Sequence, residues 1–326
     1  MIRATAATVA LAVAACGSGR SGSSGGAGAA AGRAIVATIA AAASVRAPWR
    51  CALARTGGAT ATLPAPAGWR RDGDRVVAEP ARPRLTLAAV AQARGTAIDL
   101  RAGLRAAHVD VVVTVGGMGA TAAESKAALE VLLDPAWLVV ALPGDTEDWP
   151  GHAAAIAELA TSGAGIVDGA TIRVVDVGAA VLATIPGERW AERLGAGAAG
   201  CVYDDDDVAG AIAALTAVAA DRPRVLVTAS APQGGPSDLA PGGLHAGDAA
   251  LAAAVAVAEL ELVVHGPVDG TPAGPGTTRR GTAVALAAGS LDPVPRRDVE
   301  GRTLATGALV ATIDARGVGW RFIPAP

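Results

Sequence analysis

The chain has few aromatic and few charged residues. Phe, Tyr and Trp together make up 2% of its 326 residues, so Leu, Val, Ile and Ala must build the core. Charged residues are 17% beside 52% hydrophobic residues, a balance that excludes a disordered chain. The formal net charge is −3 and Lys126 is the only lysine, so no basic excess is present to neutralise phosphates. Nucleic acid is therefore not an expected partner. The length allows one large domain or two small ones.

Apolar runs long enough to cross a bilayer are also missing. Ala4–Ala15 and Ala34–Val45 are apolar stretches of about a dozen residues, whereas a spanning helix needs about 20. Arg3 precedes the first stretch, and a short positive region before a short apolar one is typical of an export signal. The second stretch is expected to pack on the domain.

The end of the first apolar stretch has a recognisable cysteine motif. The residues V-A-A-C, ending at Cys16, resemble the lipobox of bacterial lipoproteins. The resemblance implies a signal peptide over residues 1–15 and a lipid, palmitate among its acyl groups, on Cys16. Residues 16–33 are almost all Gly, Ser and Ala, which predicts a flexible tether. No Asp follows Cys16, and by resemblance to sorted lipoproteins this indicates the outer membrane. The alternatives are an ordinary secretory signal and an Ala-rich terminus in which the cysteine occurs by chance.

Two cysteines remain if Cys16 carries a lipid. In an oxidising compartment Cys51 and Cys201 are candidates for one disulfide, and two buried thiols are the alternative. Residues 34–83 include a segment rich in Pro, Gly and Arg with one strand-like piece, Asp74–Ala78. We expect these residues to form an extended arm that packs on a domain spanning residues 84–326.

Strand-like and helix-like segments alternate from Leu85 onward. Short apolar runs predict buried strands, and the segments between them have helical patterns. The predicted strands are Leu85–Ala91, Asp110–Val115, Trp137–Leu142, Thr171–Val177, Val181–Ile185, Arg224–Thr228 and Leu260–Val264, and the predicted helices are Ile98–Ala107, Glu124–Leu133, His152–Thr161, Asp204–Ala220 and Ala249–Glu259. Three final strands, Thr282–Ala288, Thr306–Ile313 and Val318–Phe322, are predicted to be antiparallel. This order favours two mixed sheets packed face to face, with helices outside.

Ligand sites of α/β sheets lie beyond the carboxyl ends of the strands. The loops that follow the predicted strands are Gln92-Ala93-Arg94-Gly95, Gly116-Gly117-Met118-Gly119, Pro143-Gly144-Asp145-Thr146-Glu147-Asp148, Ala229-Ser230-Ala231-Pro232, His265-Gly266-Pro267-Val268-Asp269-Gly270 and Gly289-Ser290-Leu291-Asp292. Over roughly Leu85 to Pro295 this ordered series resembles the calcineurin-like metallophosphoesterases, and DVVVTVGG followed by WLVVALPGD is its best local stretch. The resemblance implies a four-layer α/β sandwich with two mixed β-sheets flanked by helices.

The family's chemistry uses two metal ions held by Asp, His and Asn at the ends of these loops. Here nearly every ligand position of the family pattern has changed. The residues at those positions are Gln92, Arg94, Gly117, Asp145, Thr146, Ser230, Pro267 and Asp269, and none of the four histidines falls in register. We therefore expect no dinuclear metal centre and no cofactor. The predicted function is a non-catalytic binding or structural module at the cell envelope.

Several polar residues near the expected site keep other interpretations open. The candidates for a vestigial site are Arg94, Asp145, Glu147, His245, His265 and Asp269. In one interpretation Asp145, Asp269, His245 and His265 bind a single divalent metal ion, which would make the protein an envelope phosphoesterase. In a second, Arg94 pairs with Asp145 or Asp269 and fills the metal cavity. In a third, Arg94 binds a small anionic ligand, a phosphate or carboxylate, without cleaving it. The sequence is also compatible with binding to an unidentified protein partner.

Two further features are given structural roles. The run Asp204–Asp207 lacks the alternating spacing of a calcium loop and is expected to cap the helix that follows it. His152, at the start of a predicted helix, is expected to be solvated or to act as a cap.

Overall fold

The computed structural model describes residues 49–51, 67–219, 221–240, 242–268, 274–280, 283–294, 296–298 and 300–326. Within these ranges no helix is both long and apolar enough to cross a membrane. Cys16 and Asp269 lie outside the described residues, as do the predicted signal peptide and tether.

A short strand pair fastens the earliest described residues to the domain. Strand β1 (Trp49–Arg50) runs parallel to β10 (Cys201–Val202), and a disulfide joins Cys51 to Cys201 with the two Cα atoms 5.3 Å apart. The Arg50 guanidinium also pairs with the carboxylate of Asp204. Both cysteines are buried, so this bond belongs to the interior.

One sheet combines strands from the first part of the domain with strands from the end of the chain, and most of its pairings are parallel. Its strands in the described residues are β4 (Leu85–Ala91), β5 (Val111–Val115), β6 (Leu138–Leu142), β7 (Ile166–Asp168), β15 (Gly289–Ser290), β16 (Gly307–Asp314) and β17 (Gly317–Pro324). Their order is β17-β16-β4-β5-β6-β7, with the short strand β15 also paired to β4. Strands β4 to β7 are parallel, whereas β16 and β17 form an antiparallel edge.

The second half supplies most of the other sheet. Its strands in the described residues are β2 (Trp69–Asp72), β3 (Arg75–Arg82), β8 (Val174–Gly178), β9 (Val181–Ile185), β11 (Arg224–Thr228), β12 (Leu262–His265), β13 (Gly274–Arg280) and β14 (Ala283–Ala287). Their order is β13-β14-β12-β11-β9-β8-β3-β2. Strands β9, β11, β12 and β14 are parallel to one another.

Five helices in the described residues cover the outer faces. They are α1 (Arg101–Ala106), α2 (Ala122–Glu130), α3 (Trp149–Thr161), α4 (Asp205–Ala219) and α5 (Ala249–Val257). Local sequence accounts for several starts. Thr121 and Glu124 form a capping box on α2, and the Asp248 side chain caps α5. The side chain of Asp204 accepts from the amides of Asp206 and Asp207, so the acidic run does cap α4 as the sequence predicts.

The side-chain alternation of the strands produces three apolar layers. Val111 and Val113 of β5 point into a central core between the two sheets, and Val112 points outward beneath the helices. The outer face of the first sheet packs on α1, α2 and α3, and that of the second sheet on α4 and α5. The molecule is thus built in four layers, helices, sheet, sheet and helices.

Two parts of this arrangement differ from the sequence prediction. Strands β2 and β3 are members of the second sheet, so the sheet begins within the segment expected to be an arm, before residue 84. The predicted strand Thr282–Ala288 becomes β14, which is parallel to β12 and does not pair with the two C-terminal strands. An apolar run specifies a buried strand but not the sheet that receives it.

Candidate functional site

The carboxyl ends of the parallel strands of both sheets meet at one cleft. It is about 200 Å³ in volume and continues into a narrower part of about 40 Å³. The lining residues of polar or charged type are Gln92, Asp145, Glu188, Arg193 and Ser230, and the others are small or apolar residues, among them Gly116, Gly187 and Gly266. This is the position where open α/β sheets bind ligands.

The loop after β4 is held by backbone contacts in a strained conformation. Gln92 and Arg94 have φ values of 55° and 49°, a region that non-glycine residues rarely occupy. The amide of Gln92 donates to the carbonyl of Gly116 at 3.0 Å, and that of Arg94 donates to the carbonyl of Gly117 at 2.9 Å. Arg296 donates to the Gln92 side-chain oxygen. The position that the sequence resemblance assigns to a first aspartate ligand therefore carries a side-chain amide that accepts from an arginine.

Arg94 does not fill the cleft, contrary to the salt-bridge interpretation of the sequence. Its Nε lies 3.3 Å from Oδ2 of Asp292, a carboxylate in the loop after β15. The Arg94 side chain is 62% exposed and is not part of the cleft wall. Its partner is thus neither Asp145 nor any residue of the β6 loop, because the strained backbone directs it across to the neighbouring strand end.

Glu147 has a structural position beneath the loops. Its Oε1 accepts from the Met118 amide at 2.6 Å and its Oε2 accepts from the Gly144 amide at 2.9 Å. The residue is completely buried, and burial raises the pKa of its carboxyl group. One side chain therefore ties the loop after β5 to the loop after β6.

The two histidine candidates lie apart from the cleft wall. His265 is completely buried on β12, and its Nδ1 donates to the carbonyl of Gly266 at 2.8 Å. Nδ1 of His245 lies 2.9 Å from Oδ1 of the buried Asp238. Of the predicted site residues that the structure describes, only Asp145 lines the cleft.

These residues do not fit a dinuclear metal centre. Gly117 and Pro267 offer no side-chain ligand, Arg94 carries a fixed cation, and Gln92 is engaged by Arg296. Gly117 has φ +76°, and a Cβ added there would lie 2.7 Å from the Cα of Gln92. Among the described residues no group of three or more His, Cys, Asp or Glu side chains is placed to hold a metal ion.

Sequence reasoning missed the segment that forms the opposite wall of the cleft. Glu188 and Arg193 follow β9, and the carbonyl of Glu188 accepts from the Tyr203 amide at 3.1 Å. Burial raises the pKa of the Glu188 carboxyl group, and the nearby Asp145 charge acts in the same direction. Strand β9 is parallel to β11, so the loop rule used for the other strands would have found this segment.

A buried hydroxyl network supports the same wall. The Tyr203 hydroxyl donates to Oδ2 of Asp248 at 2.9 Å, and burial raises the pKa of Tyr203. Ser230 is buried, and its Oγ lies 3.4 Å from the carbonyl of Gly187. With the phenol held in its protonated form, it does not supply a base that would activate Ser230 as a nucleophile.

Comparisons with known proteins find similarity in the fold and not in the sequence. No family model matches the sequence, and no curated protein matches it. One crystal structure matches with a TM-score of 0.54 and 13% identity over 74% of this chain and 100% of the other. The protein TT1561 from Thermus thermophilus has a TM-score of 0.47 at 15% identity, covering 73% of this chain and 98% of its own. A dimetal phosphatase from Danio rerio has a TM-score of 0.47 at 10% identity, covering 75% and 100%.

At such identities a structural likeness concerns the fold alone, and the activity named for the phosphatase is that protein's own. The layer order described above, two mixed sheets packed face to face with helices outside, agrees with the architecture that the sequence predicts. The fold class is confirmed as a mixed α/β sandwich with two mixed sheets flanked by helices.

Proposed function

We propose that the chain is a lipid-anchored protein of the cell envelope whose phosphoesterase-like domain binds a small polar ligand without a metal centre. The observation that carries this proposal is the set of internal contacts made by three residues at or next to the positions that the sequence resemblance assigns to metal ligands. Arg94 pairs with Asp292, Gln92 with Arg296, and Glu147 with two loop amides. The cleft persists beside them with a polar lining, which supports binding as its role.

The anchor and the location are supported by the sequence and by the disulfide. The lipobox-like residues ending at Cys16 and the Gly/Ser/Ala segment after them favour a tethered lipoprotein, and the lack of Asp after Cys16 favours the outer membrane. The Cys51–Cys201 bond agrees with an oxidising compartment such as the periplasm or cell surface.

The rival function is an envelope phosphoesterase with a single metal ion. It requires Asp145, Asp269 and a histidine close together. The Nδ1 atoms of His245 and His265 are instead directed to Asp238 and to the Gly266 carbonyl, so the described donors do not converge. No observation on the described residues favours this rival.

Metal content and hydrolysis together test the proposal. The full-length protein would be purified in detergent without chelators or a histidine tag, offered manganese, zinc and iron, and assayed with p-nitrophenyl phosphate and bis-p-nitrophenyl phosphate. We expect near-zero metal per chain and no metal-dependent hydrolysis. One or two equivalents of metal with hydrolysis that is lost in Asp145→Ala would overturn the binding role in favour of the rival.

The anchor has its own test. Cells that express the chain would be labelled with palmitate and fractionated, with Cys16→Ser as the matched variant. We expect label in the membrane fraction for the parent chain and unlabelled, released protein for the variant. Equal membrane association of both chains would refute the lipid anchor.

A further inference from the structure

A series of hydrogen bonds leads from the outer layer of the second sheet to the cleft. Asp248 accepts from the Ala250 amide at 2.8 Å through Oδ1 and from the Tyr203 hydroxyl at 2.9 Å through Oδ2. The Tyr203 hydroxyl is also hydrogen-bonded to Ser230, a residue that lines the cleft. Tyr203, Ser230 and Asp248 are all buried, so bulk water does not compete for these contacts.

The direction of these hydrogen bonds is fixed by the proton of the phenol. Tyr203 gives that proton to the Asp248 carboxylate, so its oxygen can only accept from Ser230. The Ser230 Oγ also lies 3.4 Å from the carbonyl of Gly187, which is another acceptor. Whichever of these two acceptors takes it, the Ser230 proton is used within the protein. Ser230 Oγ therefore offers lone pairs, and not a proton, to a ligand in the cleft.

The other polar residues that line the cleft mix donors with acceptors. The guanidinium of Arg193 can only donate, whereas the carboxyl group of Asp145 can accept. Gln92 has its side-chain oxygen engaged by the Arg296 guanidinium, so the other polar group of its amide is the donating NH₂. Both kinds of hydrogen-bonding group thus surround a cavity of about 200 Å³.

A ligand hydroxyl group suits this lining because it donates and accepts. A carboxylate ligand has acceptors only, and these would face the lone pairs of Ser230. An ammonium group has donors only, and these would face the guanidinium of Arg193. A neutral compound with several hydroxyls satisfies donors and acceptors alike. Burial raises the pKa of the Glu188 carboxyl group, and the match holds whether that group is ionised or protonated.

We infer that the cleft binds a neutral polyhydroxyl compound the size of a monosaccharide, one of whose hydroxyls donates to Oγ of Ser230. This inference rests on the proposed binding function and names its ligand class. The volume of the cleft agrees with a ligand of this size, since clefts for drug-sized ligands have roughly 300–1,000 Å³.

Matched sugars test the donated hydroxyl. The full-length protein, in a detergent without a sugar head group, would be titrated with D-glucose, D-galactose, D-mannose and myo-inositol, with binding followed by ligand-observed NMR. The monodeoxy and monodeoxyfluoro analogues of the probe that binds most tightly would then be compared. Fluorine can accept a hydrogen bond but cannot donate one. At the position that faces Ser230, both analogues should therefore bind about tenfold more weakly than the parent compound.

Two serine variants locate the contact. Ser230→Ala should bind the parent compound about tenfold more weakly and should bind it and its deoxy analogue equally, because the acceptor is gone. Ser125→Ala is the matched control. Ser125 is also a buried serine whose hydroxyl contacts a glycine carbonyl, that of Gly119 at 3.2 Å, but it does not line the cleft. This control should keep the full difference between parent and deoxy compound.

Three results would each overturn the inference. They are the absence of saturable binding for all four probes, undiminished binding of every monodeoxyfluoro analogue, and a deoxy penalty that survives in Ser230→Ala. The first two are measured on the parent protein and do not depend on the folding of a variant. Metal content and hydrolysis are measured separately, so a failure of sugar binding would leave the proposed function to be decided by its own assay.

Discussion

His152 is a neutral imidazole locked inside the outer layer, where the sequence predicts a solvated or capping residue. It is 1% exposed, and burial lowers its pKa from 6.5 to about 4. The unfolded chain therefore binds more protons than the folded one between these two values, and stability must fall as the pH drops from about 6.5 toward 4. The loss should reach about 3 kcal/mol at the lower limit.

Urea unfolding across this pH range measures the effect. The slope of stability against pH should flatten in His152→Leu but not in His108→Gln, which changes an exposed histidine. A slope that survives in His152→Leu would assign the proton uptake to other groups.

The Glu147 side chain is expected to stabilise the folded chain through its two hydrogen bonds to loop amides. Glu147→Ala leaves the buried amides of Met118 and Gly144 without their acceptor, and each unsatisfied donor costs about 1–3 kcal/mol. We expect a total loss of about 2–6 kcal/mol and a smaller loss for Glu147→Gln, whose oxygen still accepts one of the two bonds. Denaturant midpoints check this, with the exposed Glu192→Ala as the control. Equal losses for alanine and glutamine would contradict this account, because the acceptor oxygen that glutamine retains would then contribute nothing.

At the scale of the elements, the loop after β5 has no room for the aspartate ligand that the sequence resemblance would place at Gly117. Gly117→Asp introduces a Cβ 2.7 Å from the Gln92 backbone at a positive φ, so we expect a loss of at least about 2 kcal/mol and no gain of metal. Gly163→Asp is the matched control, because Gly163 also has a positive φ, +89°, but nothing lies within 4 Å of its added Cβ. Calorimetry measures the stability of both variants, and metal analysis measures what they bind. Metal uptake by Gly117→Asp would contradict the prediction that this loop has no room for a metal ligand.

The elements also show where sequence reasoning succeeds and where it stops. Fully buried strands such as β5 and β6 are continuous apolar runs, so their type and parallel order could be predicted. The sheet that contains β14 could not be predicted, because an apolar run does not indicate which strand it will pair with. The ion pair of Arg94 with Asp292 depends on a strained backbone, which composition does not predict. Asp145 lines the cleft because its loop follows a strand that the sequence does predict.

For the molecule as a whole, the Cys51–Cys201 bond closes a loop with a sequence separation of 150 residues. Loop-closure entropy predicts that breaking this bond stabilises the unfolded chain by about 2–5 kcal/mol. Cys51→Ser with Cys201→Ser should therefore lower the free energy of unfolding by that amount, as measured by denaturant titration. Reduction of the parent protein should shift the midpoint in the same direction. An unchanged denaturant midpoint in both experiments would show that the disulfide contributes no stability and that packing alone holds the two segments together.

The same separation imposes an order in time on the maturing chain. Synthesis proceeds at roughly 5–20 residues per second, so Cys51 emerges about 8–30 s before its partner. During that interval the only other thiol available to it is Cys16, since the chain has three cysteines in all. In the proposed lipoprotein an acyl chain removes that competitor. The lipid would then do more than attach the protein to a membrane, because it would leave Cys201 as the sole partner with which Cys51 can cross-link.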